Sequence, residues 1–291
     1  VVAPRYGLLG GGEKLVFELT ERIAADRRWQ VHVFANRWRR GTDAIRFHHV
    51  PILPFPRFAQ PLSFALYARK KIKQCGIDLI HTHERIFEAH VYSVHGIPHP
   101  LWIKEIRGKR MLSLYDRVLA GIEKRLIEGA VGPHLLAVSS ITAEKLNQAF
   151  DGIAERIRIL SPGVDRTPFD RWSRQACRSA LRQRYNWAAD DVILLFVGMN
   201  FEIKGLDRII QAFRLAVQSG PQATLRLLVV GKGDVRKYRQ QADALGIGDR
   251  VSFAGPVNTD IERIYLGSDI FILLSRFDTF GLVVLEAMAA G

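Results

Sequence analysis

Two carboxylates near the end of the sequence have a spacing that suits the binding of one polar ligand. Asp278 and Glu286 are eight residues apart in the segment SRFDTFGLVVLEAMAAG (275–291). Asp278 lies in a loop before a predicted apolar helix that begins at Gly281, and Glu286 lies in its second turn. Both side chains can therefore approach one ligand. Carboxylates accept hydrogen bonds from sugar hydroxyls, and the backbone N–H groups of 279–282 at a helix N-terminus suit a diphosphate.

Glu286 is the only charged residue in 281–291. A lone carboxylate on an apolar helix that faces a core requires a partner, because burial of an unpaired charge is costly. That partner is either a ligand or another side chain of the protein. We expect the ligand.

A lysine in the segment VGMNFEIKG (197–205) is placed to meet an anion. A predicted strand ends at Gly198, and Lys204 and Gly205 directly precede a predicted helix. The helix dipole and the ammonium group both favour negative charge at that position, so we expect Lys204 to contact phosphate. A solvated lysine is the alternative interpretation.

Three successive glycines, Gly10 to Gly12, follow a predicted strand and open a predicted helix over 13–25. Without a Cβ atom the backbone can adopt positive φ and approach a ligand closely. The motif is not GxGxxG, which disfavours a dinucleotide-binding oxidoreductase. The alternative is a tight strand-to-helix turn with no ligand.

These segments belong to two successive series of alternating strands and helices. The helical and strand periodicities are lost between 158 and 187, where proline, glycine and serine occur, and a second series begins at Val192. We predict one lobe over 1–165 and another over 166–291, the latter including the linker. The pattern predicts an α/β protein with two Rossmann-like, doubly wound lobes that face a central cleft.

The two ends of the sequence favour a fragment. The chain begins at Val1, within a predicted strand, and stops at Gly291, directly after a predicted helix. We expect truncation at the first strand and in the second lobe, with further elements in a longer protein.

The composition indicates a globular protein with an anionic partner. Forty-two lysines and arginines against 29 acidic residues give a net charge of +13, which favours nucleic acid, a phosphorylated small molecule or an anionic membrane surface. Cys75 and Cys177 are far apart in sequence, which argues against a disulfide scaffold and favours a reducing compartment. Apolar runs of about eight residues, such as 192–199, are too short for the ~20 residues of a membrane helix.

Several motifs resemble glycosyltransferase family 4, a family of retaining GT-B enzymes, over nearly the whole chain. The spacing from Asp278 to Glu286 resembles the EX7E motif of retaining GT-B glycosyltransferases, with Asp in the first position. The other matching motifs, in chain order, are PRYGLLGGGEK, IDLIHTH, SVHG, AVSS, ILSPGVD, VGMNFEIKG and FGLVVLEAMAAG. Within the family, ILSPGVD and VGMNFEIKG are most similar to lipopolysaccharide-core glucosyltransferases.

The resemblance implies an activity as well as a GT-B fold. The expected enzyme is a metal-independent glycosyltransferase that moves a hexose from a UDP- or GDP-linked donor to a hydroxyl of a glycan or glycolipid acceptor. Retention of configuration and a role in lipopolysaccharide or cell-envelope polysaccharide synthesis are implied as well. No cofactor other than the nucleotide-sugar substrate is expected.

In the second lobe the resemblance implies a role for each matching residue. Glu286 would bind the donor ribose, Asp278 the hexose hydroxyls and Lys204 the diphosphate. Backbone groups would contribute the remaining donor contacts, to the sugar and phosphate from Thr279, Phe280 and Gly281, and to the base from Val257. Many family members have arginine where this sequence has Met199, so diphosphate binding would depend more on Lys204 and the helix ends.

The first lobe is implied to hold the acceptor. His95 in SVHG would lie near the reacting sugar, with Gly11 and Gly12 beside it. We therefore predict His95, Lys204 and Asp278 as catalytic residues. His81 and His83 could both face a metal ion, but no third ligand is apparent and no D-x-D motif occurs, so no metal site is predicted.

The basic stretch 104–125 contains interleaved apolar residues. It is either a solvated face or a surface that rests on anionic lipid headgroups. We expect the protein in the cytoplasm and, in the second case, attached to the inner face of the plasma membrane.

Two alternatives to the enzyme remain, a basic nucleic-acid-binding protein and a non-catalytic nucleotide-binding module. Nucleic acid is disfavoured because no helix-turn-helix, RRM or zinc pattern occurs.

Overall fold

The computed structural model describes residues 1–8, 10–130, 132–220, 224–257 and 259–291. Leu9, within the predicted glycine-rich loop, lies outside the described residues. The chain divides into two compact units, Val1–Pro162 (unit 1) and Gly163–Gly291 (unit 2). The sequence predicts that boundary at 165/166.

Unit 1 is built from parallel strands and amphipathic helices. Its elements are β1 (Arg5–Tyr6), α1 (Gly11–Ala25), β2 (Val31–Ala35), β3 (Arg37–Trp38), β4 (Ile45–His49), α2 (Ala59–Cys75), β5 (His81–Thr82), β6 (Val91–Val94), α3 (His99–Leu101), a π-helical turn (Trp102–Ile106), α4 (Leu114–Glu128), β7 (His134–Ala137), α5 (Ser140–Ala149), a 3₁₀ turn (Ala154–Arg156) and β8 (Ile157–Ile159).

The strands of unit 1 have a Rossmann-like order. β2 pairs with β4, and β5 to β8 pair in sequence order, all in parallel. Val2 forms single parallel bridges to Phe34 of β2 and to Thr82 of β5, and so joins the two sets. Successive strands are added to the sheet in opposite directions on the two sides of Val2, so this is the topological switch point of the unit.

Unit 2 repeats the pattern on a shorter chain. Its elements are α6 (Thr167–Asp170), α7 (Arg174–Tyr185), β9 (Val192–Met199), α8 (Leu206–Gln218), β10 (Leu225–Lys232), α9 (Val235–Ala244), a 3₁₀ turn (Gly248–Arg250), β11 (Val251–Gly255), α10 (Ile261–Gly267), β12 (Ile270–Phe271) and α11 (Leu282–Ala290).

Within the described residues, the sheet of unit 2 has the order β11-β10-β9-β12, with all strands parallel. Its central strand β9 is buried over most of its length, as expected for a strand covered by helices on both faces. The two faces pack into separate clusters, one centred on Phe196, Phe213 and Leu227, the other on Leu195, Leu228 and Tyr265.

One helix of unit 2 contradicts the predicted linker. Residues 174–185 form α7, whose N-terminus is capped by Ser173 and whose C-terminal cap, Asn186, is left-handed. Arg182 is buried, and its guanidinium donates to the Asp269 carboxylate at 2.8 Å and to the Asp191 carbonyl at 2.6 Å. The buried side of this helix includes a paired arginine, so its apolar residues are too sparse to show helical periodicity in the sequence.

None of the helices in the described ranges is long and apolar enough to cross a bilayer.

Candidate functional site

The carboxyl ends of β9 and β12 form the topological switch point of unit 2. β9 lies between β10, which follows it in sequence, and β12, the last strand described. In doubly wound sheets the crevice at such a point binds ligands, because the loops after the two strands diverge there. The sequence-predicted residues Lys204 and Asp278 follow these two strands.

The loop after β9 is held in place by close backbone packing. The Lys204 N–H donates to the Asn200 carbonyl at 3.1 Å. Gly205 has φ +75°, and a Cβ atom there would lie 1.9 Å from the Leu274 carbonyl oxygen. Only glycine allows this approach, which brings the loop after β9 against the segment after β12.

As a result, Lys204 and Asp278 meet directly. The Lys204 ammonium donates a hydrogen bond to Oδ2 of Asp278, across 74 positions of sequence. Their side chains are 20% and 24% exposed, so the pair is accessible to a ligand. Oδ2 of Asp278 lies 3.8 Å from the place where a Cβ on Gly281 would be, which puts the carboxylate at the N-terminus of α11.

Glu286 lies in the second turn of α11, as predicted, and is buried. Its carboxylate accepts a hydrogen bond of 2.9 Å from the Tyr265 hydroxyl of α10. Burial and the Glu286 carboxylate both raise the pKa of Tyr265 above its ordinary value, so the phenol remains a donor. The partner that the sequence requires for Glu286 therefore includes a side chain of the protein.

The other predicted residues of unit 2 lie at the same edge of the sheet. Thr279, Phe280 and Gly281 connect β12 to α11, and the helix begins with bonds from the Val284 and Leu285 N–H groups to the Gly281 carbonyl. Val257 follows β11, and its side chain packs against an apolar cluster.

The site also contains a hydroxyl that the sequence analysis missed. Ser275 Oγ lies in the segment after β12, is buried and has no hydrogen-bond partner among the described residues. No motif in the sequence marks Ser275, since its burial depends on where β12 ends.

In unit 1, the glycine-rich segment begins α1. Gly10 has φ +100° and is the N-cap residue, and Gly11 and Gly12 form the first turn of the helix. No atom lies within 4 Å of a Cβ built on Gly12. Both helix residues are exposed, so space is available to a ligand at this N-terminus.

His95 directly follows β6 and contacts His83, one of the two histidines considered above as metal ligands. Its Nε2 lies 3.0 Å from Nδ1 of His83, and the two rings stack with centroids 5.2 Å apart. His83 Nε2 is buried without a hydrogen-bond partner among the described residues. His81 bonds instead to Ser93 Oγ at 2.8 Å.

Burial makes this cluster of histidines resist protonation. It lowers the pKa of His81 to about 4 and that of His83 well below its usual range. The pKa of His95 is also lowered by burial, against the opposite effect of Glu84. All three imidazoles are therefore neutral near pH 7.

A cleft of about 780 Å³ opens at the carboxyl edge of the unit 1 sheet. It is lined by apolar side chains, by the acidic and amide side chains of Glu84, Asn36 and Gln60, and by three arginines, Arg5, Arg37 and Arg85. Arg85 is held by the buried carboxylate of Glu123 at 2.8 Å, which compensates its charge. Arg37 and Arg5 are exposed, so the cleft offers positive charge beside an apolar wall.

The structure does not gather His81 and His83 into a group of metal ligands. Within the ranges described, three such side chains meet at one place only, formed by His32, His48 and Cys75.

Two protein families match this chain, one over each unit. Residues 9–167 match Glycosyltransferase Family 4, and residues 178–291 match Glycosyl transferases group 1. The chain is 25% identical over 292 residues to the lipopolysaccharide glucosyltransferase WaaG of Escherichia coli, covering 99% of the chain and 76% of that protein. It is 29% identical over 165 residues to mannosylfructose-phosphate synthase of Agrobacterium fabrum, covering 54% of the chain but only 36% of that relative.

Solved structures resemble the whole chain. A crystal structure of WaaG, a glycosyltransferase involved in lipopolysaccharide biosynthesis, superimposes with a TM-score of 0.86 at 21% identity and covers 99% of this chain and 78% of its own. Anabaena Alr3699/HepE in complex with UDP and glucose gives 0.70 at 20% identity, covering 99% and 77%. These likenesses confirm the predicted GT-B fold class.

Proposed function

Because this chain belongs to glycosyltransferase family 4, we propose that it transfers a hexose from a nucleotide-sugar to a hydroxyl of a glycan or glycolipid. The observation that supports this most directly is the Lys204–Asp278 pair at the switch point of unit 2. The pair places one cation and one anion side by side. In a nucleotide-sugar the diphosphate, which suits the cation, is bonded directly to the sugar, whose hydroxyls suit the anion.

On the donor side, unit 2 offers a group for each part of a nucleotide-sugar. We assign Lys204 to the diphosphate and Asp278 to the hexose, as the resemblance to the family implies. Glu286 has an acceptor oxygen for ribose hydroxyls, and Tyr265 fixes the rotamer of that carboxylate. Backbone groups of 279–281 and of Val257 complete the site.

Transfer requires stabilisation of a departing nucleoside diphosphate. The Lys204 ammonium and the N-terminus of α11 supply fixed positive charge where negative charge develops, and a preorganised arrangement of this kind acts without a divalent cation. Retention of configuration is part of the proposal, by analogy with the family.

On the acceptor side, we assign unit 1. The neutral imidazole of His95 can exchange hydrogen bonds with a sugar hydroxyl, and the cleft beside β1 provides room for further sugar rings. Exposed Arg5 and Arg37 suit an acceptor that carries negative charge. The likeness to WaaG favours an acceptor in lipopolysaccharide or cell-envelope synthesis.

A basic, partly apolar surface of unit 1, within 104–114, supports attachment to a membrane. Met111 and Leu114 are 77% and 57% exposed, and the neighbouring Lys104, Lys109 and Arg110 are exposed too. Exposed apolar side chains among cations favour anionic headgroups. We propose peripheral attachment to the inner face of the plasma membrane, from the cytoplasm.

A thermal-shift screen against UDP, GDP and ADP and their sugars tests the function. A ligand at 100-fold its Kd stabilises the folded state by about 2.7 kcal/mol, so one nucleotide-sugar should raise the melting temperature distinctly. Product analysis with that donor and a lipopolysaccharide-derived acceptor should then show sugar transfer. No response to any nucleotide, together with steeply salt-dependent nucleic-acid binding in a filter assay, would overturn the proposal.

A further inference from the structure

Three potential metal ligands of unit 1 come together away from the candidate active site. His32 is the second residue of β2, His48 lies on the neighbouring strand β4, and Cys75 is the last residue of α2. His48 Nε2 lies 3.0 Å from His32 Nδ1, and His48 Nδ1 lies 3.7 Å from Cys75 Sγ. With one ligand atom taken from each residue, the three atoms lie within 4.8 Å of one another.

His48 can bind a metal ion through only one of its two ring nitrogens, so the 3.0 Å and 3.7 Å contacts do not belong to one set of ligand atoms. With one ligand atom from each residue, the three atoms lie within 4.8 Å of one another, which is near the size of a zinc coordination tetrahedron. With Zn–N of about 2.0–2.1 Å and Zn–S of about 2.3 Å, neighbouring ligand atoms lie roughly 3.3–3.6 Å apart. Small side-chain rotations would bring the three atoms to those distances. Cys75 is partly buried and shares its side of the sheet with Phe34, whose ring stacks on His48 with centroids 4.6 Å apart.

The protonation states also suit a metal. Burial lowers the pKa of His32 and of His48, with Arg46 and Lys71 adding to the effect. Both imidazoles are therefore neutral at pH 7 and offer a lone pair. The nearby cations oppose a bare divalent ion, but deprotonation of the Cys75 thiol would reduce that repulsion by one unit of charge.

We propose that His32, His48 and Cys75 bind Zn²⁺, with water as a fourth ligand. Binding would release the thiol proton and replace the contacts between the three side chains by metal–ligand bonds. The site would tie β2, β4 and the end of α2 together. It lies away from the carboxyl edge of the sheet, so its role would be structural and independent of sugar transfer.

Cobalt provides a direct test on the full chain after removal of metals with a chelator. Co²⁺ bound to a thiolate gives a charge-transfer band in the near ultraviolet, and Zn²⁺ should displace it at one equivalent. Cys75→Ser should abolish the band, whereas Cys177→Ser, which alters the other cysteine of the sequence, should retain it.

Calorimetric titration with Zn²⁺ tests the histidines. His32→Gln and His48→Gln should weaken binding by more than the roughly 10–100-fold cost of losing an outer-shell partner. His49→Gln is the matched control, because His49 neighbours His48 on the same strand but is exposed. Its affinity should equal that of the wild type.

Circular dichroism establishes that each variant is folded, and His32→Gln keeps Cys75 intact should Cys75→Ser fail to fold. Absence of stoichiometric Zn²⁺ binding to the wild type would overturn the proposal. Binding that survives in Cys75→Ser or in the histidine variants would overturn it as well. Neither result bears on nucleotide-sugar binding, so this test is independent of the proposed enzyme.

Discussion

Lys204 and Asp278 neutralise one another across the crevice between the loops after β9 and β12. A donor that binds there must separate the pair, since its diphosphate competes with Asp278 for the ammonium group. The ion pair therefore holds two ligand-binding groups in place before the ligand arrives, at the cost of some donor affinity.

Lys204→Ala should weaken binding of the nucleotide-sugar and the nucleoside diphosphate far more than binding of the nucleoside. A hydrogen bond to a charged group is worth about 1.5–3 kcal/mol, and the nucleoside lacks the anion that the ammonium contacts. Calorimetry with uridine, UDP and UDP-glucose, or the corresponding series for the base identified, measures the difference. Lys237→Ala removes an exposed lysine of α9 as a control; equal losses for nucleoside and nucleotide-sugar would contradict the assignment.

Asp278→Asn should separate affinity from turnover. The neutral amide competes for Lys204 less strongly than the carboxylate does, so affinity for the nucleoside diphosphate should be kept or rise. Turnover and discrimination between hexoses should fall, because the variant loses a charged acceptor for sugar hydroxyls. Steady-state kinetics with two nucleotide-sugars of one base, beside binding of the free diphosphate, separate the two effects, and a parallel loss of both would argue that Asp278 acts only through the fold.

Glu286→Gln should lower donor affinity while the protein stays folded. The amide oxygen can still accept the hydrogen bond from Tyr265, so the neighbouring core is preserved, whereas the charge that we assign to the ribose is lost. Comparing binding of UDP with that of inorganic diphosphate shows whether the loss lies at the ribose. Unchanged donor affinity with a much lower melting temperature would identify Glu286 as a structural carboxylate.

Tyr265→Phe complements that variant. It removes the donor that holds the Glu286 carboxylate, and loss of a hydrogen bond to a charged group lowers stability by about 1.5–3 kcal/mol. Donor affinity should fall by less than in Glu286→Gln, because the carboxylate remains but is less well fixed. Unaltered stability and affinity would show that this hydrogen bond contributes to neither.

The histidine cluster of unit 1 should make stability depend on pH. The pKa of His81 falls from 6.5 in the unfolded chain to about 4 in the folded one, so the unfolded chain binds more protons between these values. Stability is then complete above pH 6.5 and decreases as pH falls toward 4. Melting temperatures from pH 7.5 to 4.5 should fall less steeply for His81→Gln than for the wild type, and His134→Gln, on the surface, should leave the slope unchanged.

The sequence predicts the parallel sheets and the start of α1 because both depend on local patterns. Apolar runs mark the strands, and glycines 10 to 12 mark a strand-to-helix turn. The short strand β12 is paired over Ile270–Phe271 only, since the residues after it turn into the loop that carries Asp278. Helix α7 was missed because arginines interrupt its apolar face.

Local sequence patterns do not predict the contacts of the site between segments that are distant in sequence. Asp278 and Glu286 lie in one segment, so their spacing is visible in the sequence, but the contact of Asp278 with Lys204 depends on β12 pairing beside β9. Tyr265 carries no motif, and its contact with Glu286 follows from the packing of α10 against α11. The proposed zinc ligands at 32, 48 and 75 likewise have no characteristic spacing.

The close approach of Gly205 to the Leu274 carbonyl has a consequence for how this protein can diverge. Exposed positions of the same loop, such as Met199 and Glu202, can accept many residues during evolution. At position 205 even a methyl group would meet a backbone atom that no rotamer change can move aside. Position 205 is therefore closed to substitution by the backbone itself, whereas the exposed positions beside it are not.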